Sequence, residues 1–166
     1  MATNDNLQEA FAGESQANRK YLAFAEKAEK DGFPQVAKLF RAAAAAETVH
    51  AHAHLRVLDG VGETTSNLEA AVEGEGFEFQ QMYPKFVAEA EAEGNKRALK
   101  SFQNAMVVEE VHYGLYSDAL GAVKGGADLA AATIHVCKVC GNTVIGGAPD
   151  TCDVCGAGKV AFFEVA

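Results

Sequence analysis

Two copies of the pattern Glu-x-x-His, Glu47-Thr-Val-His50 and Glu109-Glu-Val-His112, lie inside stretches rich in Ala, Glu and Lys and poor in β-branched runs. On an α-helix a three-residue step puts both side chains on one face. Each pattern therefore offers a carboxylate and an imidazole to one point. Such helices need partners able to share that polar face, which directs the chain toward a helical bundle with a polar centre.

The spacing predicts four long helical segments from about Leu7 to Lys124. Asp31-Gly32-Phe33-Pro34 and Asp59-Gly60-Val61-Gly62 are stops, Thr64 to Asn67 offer N-caps, Glu93-Gly94-Asn95 separates the third segment from the fourth, and Gly125-Gly126 ends the fourth. Each segment carries an apolar seam broken by acid. The first seam is Leu7, Phe11, Glu14, Ala17, Tyr21, Ala25 and Ala28; the second is Val36, Phe40, Ala43, Glu47, His50, His54 and Val57. The third is Leu68, Val72, Glu75, Glu78, Met82, Phe86 and Ala90; the fourth runs from Leu99 through Phe102, Met106, Glu109, Tyr113, Tyr116 and Leu120 to Val123. Pro84 should kink or divide the third helix, because it has no N–H to give the preceding turn.

Glu14 and Glu75 thus stand inward on the two helices that lack Glu-x-x-His, and Glu78 adds a fifth carboxylate. One Glu from each of two helices and Glu-x-x-His from each of the others is the ligand set of ferritin-like di-iron bundles. An isolated buried carboxylate is costly, and five together repel. Two cations remove the penalty: five carboxylates with two ferrous ions leave a charge of −1, and so do two ferric ions with one oxo bridge. His52 points away from the seam and is read as solvated. His54 is a core or supporting histidine, and Glu110 a surface charge. Tyr21 and Tyr113 remain either core aromatics or hydrogen-bond donors to the carboxylates.

The four cysteines fall in Cys137-Lys-Val-Cys140-Gly and Cys152-Asp-Val-Cys155-Gly, with eleven residues between the knuckles. A tail of this size buries too little surface to fold unaided, so a metal is the expected staple. A tetrahedral set of four sulfurs suits zinc and iron alike. Short β-prone pieces, Thr133 to Val136 and Val160 to Phe163, flank the knuckles. The reading is a mainly α protein in two domains, a four-helix bundle over 1–128 and a small metal-bound β/loop domain over 132–166.

The net charge of −9 argues against a nucleic-acid partner. No apolar run is long enough for a membrane span, and MATNDNLQEA lacks the pattern of a signal peptide. Metal-binding rather than disulfide-bonded cysteines fit a cytoplasmic setting.

FAGESQAN, ETVHAH, EGEGFEFQQMYPKF, EEVHYGLY and CKVCG…CDVCGAGK together resemble the rubrerythrin family over essentially the whole chain. The resemblance implies a ferritin-like bundle followed by a rubredoxin-like domain. It implies two non-haem irons, bridged by carboxylates and an oxo group, held by Glu14, Glu47, His50, Glu75, Glu78, Glu109 and His112. Glu47 and Glu109 would bridge the irons, and one iron would exchange Glu78 for His50 on reduction. Cys137, Cys140, Cys152 and Cys155 would hold one further iron, with zinc as the substitute on purification. Tyr83 would stand just behind the ligands.

The implied activity is a peroxidase that reduces hydrogen peroxide to water. The chain has no Gly-x-Gly-x-x-Gly after a strand for a nicotinamide, so electrons should come from a separate NAD(P)H-dependent reductase or a rubredoxin. A homodimer, with the tail of one subunit serving the bundle of the other, is also implied by the resemblance. The competing readings are a ferroxidase or iron-storage ferritin-like protein and a redox-silent metal module with a zinc tail. Two positions depart from the family pattern: Asn142 stands where Tyr is common after Cys-Gly, and Asp153 where Pro is common after Cys. Losing an aromatic cover and gaining a carboxylate should expose the iron and lower its reduction potential.

Overall fold

The computed structural model describes residues 2–166. Helix α1 spans Ala2–Lys30, α2 Pro34–Val57 and α3 Thr64–Phe77; a π-helical turn, Glu78–Met82, leads into α4 Tyr83–Ala92, and α5 spans Lys96–Lys124. Pro34 opens α2 in its first turn, where a missing N–H costs nothing. Asn95 caps α5 by accepting the Ala98 N–H at 3.1 Å. Helix α3, however, starts with Glu63 at its N-cap and no side-chain cap, so the predicted caps at Thr64 to Asn67 lie inside the helix.

Pro84 divides the third segment as predicted. It cannot donate to Gln80, and its ring crowds that carbonyl. The backbone widens, and the Tyr83 N–H reaches back five residues to Glu78 O. A π-bulge of this kind places an extra residue in the helix and re-aims what precedes it.

The contacts divide the described residues into two compact units, one ending at Gly62 and one running Glu63–Ala166. In the first, α1 packs on α2 through small residues. Ala37, Ala44 and Ala51, seven apart on α2, are 0%, 1% and 6% exposed. Ala25 and Ala28 of α1 join Ala37 in a small core with Phe40 against it. Asn18 ties the hairpin, donating to Ala44 O at 2.7 Å and Thr48 Oγ1 at 2.8 Å. The expected α2 seam is therefore only partly the packed face: the alanine stripe is buried, while Val36, Val57 and His50 remain exposed. Alanines allow the closest approach, so they decide which face meets α1.

In the second unit α3 and α4 lie along α5. Gly76 is buried where a Cβ would come within 3.2 Å of the Tyr113 ring. Leu68, Val72, Glu75, Glu78, Met82 and Phe86 are all half-buried, as their seam predicts. Tyr116 is an exception on α5, exposed at 39%.

The tail forms a three-stranded antiparallel sheet in the order β2-β1-β3, from Ile134–Cys137, Thr143–Ile145 and Phe162–Glu164. The first and last strands were foreseen; β2 was not, being three residues long between two turns. The start of the second β-prone piece is a 3-10 turn, Lys159–Ala161. Among the described residues no helix is long and apolar enough to cross a membrane.

Candidate metal centres

Helix periodicity assembles two triads. In the first unit His50 Nδ1 lies 2.9 Å from Glu47 Oε2 and 3.7 Å from Glu14 Oε1. In the second unit His112 Nδ1 lies 2.8 Å from Glu109 Oε2 and 3.9 Å from Glu75 Oε1. The ligand atoms of each triad lie within 4.8 Å of one another. The two triads repeat the same geometry on two pairs of helices: one lone Glu, one Glu-x-x-His, and Nδ1 turned to both carboxylates. Oxygen and imidazole nitrogen on hard, closely spaced donors suit iron.

Their surroundings differ. His50 is 53% exposed at its side chain and His112 26%. Burial pushes the Glu75 carboxyl up to about 7, helped by the charge of Glu109 and opposed by His112. Burial and then Glu109 also raise Glu78, which sits at the start of the π turn near the second triad. Tyr83 is raised by burial and by Glu78, Glu109 and Glu75, so its phenol keeps its proton. Its ring packs edge-on against Phe86 at 6.1 Å. Tyr21 has aromatic neighbours in Phe24 and Phe40, and Tyr113 has Phe79 at 5.3 Å. His52 is exposed and His54 half-buried, as read from the sequence, and Glu110 is exposed.

The four cysteines converge, with sulfurs 3.8 Å apart for Cys137 and Cys155 and 3.6 Å for Cys140 and Cys152. A tetrahedron with metal–sulfur bonds of about 2.3 Å has edges of about 3.8 Å, so the spacing fits one ion. Disulfides, at about 2.0 Å, do not fit it. Gly141 and Gly156, each following the second cysteine of a knuckle, have φ of 87° and 74°, a backbone turn that a side chain would strain. Burial raises the Cys152 thiol, but N–H donors from Cys155 and Val154 outweigh it and bring it down to about 7. Cys140 is pushed up to about 12 by burial, against the Asn142 backbone N–H.

Asn142 overturns one expectation. It is 6% exposed, and its Nδ2 donates to Cys152 Sγ at 3.7 Å. An amide covers the sulfur where an aromatic ring was missed, so this position does not open the centre to water. Asp153 is exposed. Sequence reading missed Thr143 altogether: its hydroxyl lies 2.9 Å from His112 Nε2, a contact across 31 residues with no local pattern to announce it. The tail therefore meets α5 of its own chain.

A helical protein with paired carboxylate–imidazole triads and a tetrathiolate tail is a ferritin-like di-iron protein with a rubredoxin-like centre. The family model described as Rubrerythrin matches residues 5–120. Rubrerythrin-2 of Clostridium acetobutylicum is 33% identical over 96% of this chain and 95% of its own length. The rubrerythrin of Nitratidesulfovibrio vulgaris is 34% identical, covering 96% and 92%. Among solved structures, fully reduced, all-ferrous nigerythrin aligns at a TM-score of 0.59 with 31% identity, over 98% of this chain and 86% of that one. The chain belongs to the rubrerythrin family. It is a di-iron oxidoreductase of the peroxide-reducing kind, with a pair of irons among Glu and His side chains and a further metal ion among four cysteines.

Proposed function

We propose that the protein reduces hydrogen peroxide to two waters, taking two protons and two electrons, at an iron pair held by Glu14, Glu47, His50, Glu75, Glu78, Glu109 and His112. The observation that carries this is the repetition of one triad geometry on two helix pairs, together with a four-sulfur tail whose Thr143 reaches His112. When bound, the ferrous pair supplies the two electrons that break the O–O bond. The chain's own groups do the rest. Burial pushes the metal-free Glu75 carboxyl up to about 7 and raises Glu78, so metal binding at these carboxylates displaces protons. Tyr83 keeps its hydroxyl proton and can donate it in a hydrogen bond toward those carboxylates.

On this reading residues 1–128 supply the bundle and 132–166 the electron entry. Electrons arrive from a rubredoxin or an NAD(P)H-dependent reductase, one at a time, through iron on Cys137, Cys140, Cys152 and Cys155. The cysteines, left as thiols for metal, favour a cytoplasmic setting.

The test is anaerobic stopped-flow mixing of the reduced, iron-loaded protein with peroxide and, separately, with oxygen, after metal analysis. Faster oxidation by peroxide is expected. Faster oxidation by oxygen, with ferric iron accumulating, would instead identify a ferroxidase.

The homodimer has a physical motive. A ferritin-like bundle needs one long crossover between its helix pairs. At 1.5 Å per residue, Glu47 lies about 15 Å before the end of α2, and Glu75 about 16 Å after the start of α3. The six residues Leu58–Glu63 between them reach about 24 Å at full extension, short of the roughly 31 Å a crossover must cover. We propose that two copies complete each other's sites, each lending α1 and α2 to the partner's α3–α5. Leu39 and Val49, 68% and 63% exposed on the α1–α2 hairpin, leave apolar surface for that exchange. Co-producing His50→Ala and His112→Ala chains should then restore peroxidase activity through the one intact site of the mixed dimer. Mixed dimers as inactive as either parent would refute the exchange.

A further inference from the structure

The tail touches the helices at one of the two imidazoles. His112 Nε2 is 2.9 Å from Thr143 Oγ1, and that hydroxyl reaches Gly141 O at 3.3 Å. Gly141 follows Cys140 directly, and its amide donates to Cys137 O at 2.8 Å. Val108 of α5 comes within 3.7 Å of the space a Cβ on Gly141 would fill. Two hydrogen bonds and one short stretch of backbone thus join a sulfur-bearing knuckle to a nitrogen of the helical triad.

Hydrogen counting fixes the protons along this route. A threonine hydroxyl has one hydrogen and two lone pairs. When it donates to Gly141 O, it accepts from His112, whose proton then sits on Nε2. Nδ1 is left bare toward Glu109, 2.8 Å away, which is the tautomer a metal ion there requires. An apolar cavity of about 360 Å³, lined in part by Leu68, Leu115, Ile134 and Ile145, flanks both His112 and Thr143.

We propose that Thr143 is a positioning residue: it sets the His112 tautomer and forms the bridge by which electrons leave the tail iron for the iron pair bound at the His112 triad of the same chain. The electron route rests on the peroxidase reading above. Each transfer leaves the tail ferric and one helical iron ferrous. Two transfers replace the two electrons that one peroxide takes up with two protons, and the external reductase or rubredoxin re-reduces the tail.

The test uses iron-loaded full-length protein with Thr143→Val, which keeps shape and loses the hydroxyl, and Thr143→Ser, which restores it. Reduced protein is mixed with peroxide, and formation of the ferric tail is followed by its visible absorption. Thr143→Val should slow tail oxidation by about tenfold or more, the usual cost of losing a partner behind a metal-bound histidine. Its tail spectrum, tail potential and iron content should match the wild type, and Thr143→Ser should return the rate.

Nitrogen NMR of zinc-loaded protein gives a readout independent of turnover: the wild type should show His112 protonated at Nε2 with slow proton exchange, and the Val variant fast exchange. An unchanged rate in Thr143→Val overturns the bridge, and an equally protected His112 proton overturns the positioning role. If the wild-type tail stays ferrous after peroxide, the peroxidase reading fails, while the NMR comparison still decides the role of Thr143. Should Val disturb the sheet, seen as an altered tail spectrum, Thr143→Ala replaces it.

Discussion

A single amide shows how far one side chain can change a metal centre. Asn142 is buried and donates to the Cys152 sulfur. Donation to a thiolate favours the more negative, reduced form of the iron. Asn142→Leu should therefore lower the tail potential: a hydrogen bond of about 1 kcal/mol corresponds, for one electron, to on the order of 40 mV. Spectroelectrochemical titration of the two proteins would settle it, and an equal or higher potential in the variant would discard the idea. Acid strength makes a second prediction. Glu75 is raised to about 7 and Glu78 is raised also, chiefly by burial. In metal-free protein the folded chain then binds more protons than the unfolded chain between about 4.5 and 7. Stability therefore falls as pH rises through that window. Metal-free protein should melt at a lower temperature at pH 7.5 than at pH 5.5, and Glu75→Gln should flatten the difference. Metal binding releases those protons, so loading should stabilise more as pH rises.

The elements explain which parts of the chain could be read in advance. Glu47, His50, Glu109 and His112 were legible because both partners of each pair lie within one helical turn. The break at Pro84 was legible too, since a missing N–H is a property of one residue. Its form was not: whether a proline ends a helix, kinks it or widens one turn depends on what the neighbouring helices hold in place. Deleting Gln81 from the π turn should restore an ordinary helix and rotate Glu75 and Glu78 by about 100° relative to Phe86. Iron bound per chain should drop while helix content by circular dichroism stays level; full iron loading would contradict this. The glycines of EGEG make a finer comparison. Gly74 has open space around its Cα and Gly76 faces the Tyr113 ring. Gly74→Ala should stabilise the helix by up to about 1 kcal/mol, and Gly76→Ala should fall short of that gain in the same melting experiment because the ring must move.

Across the molecule, local patterns gave the two kinds of centre, and long-range packing decided how they are joined. Thr143 and His112 are 31 residues apart in sequence; nothing in either neighbourhood marks the other. Strand β2, which carries Thr143, was unreadable for a related reason, because three residues hold too little alternation and their pairing to β1 supplies the order. The tail's stability belongs at this scale as well. Its sheet has strands of four, three and three residues, too little to stand without the metal. Chelation of the tail metal should abolish amide protection in Ile134–Cys137 and leave α1 to α5 helical, as read by hydrogen exchange; persistent protection would mean that contact with α5 alone holds the sheet.

The strand over His112 carries a last consequence. A ring under a β-strand cannot swing without lifting that strand. Motion of the tail and orientation of that imidazole are therefore one event: loosening the sheet frees the ring, and fixing the ring steadies the sheet.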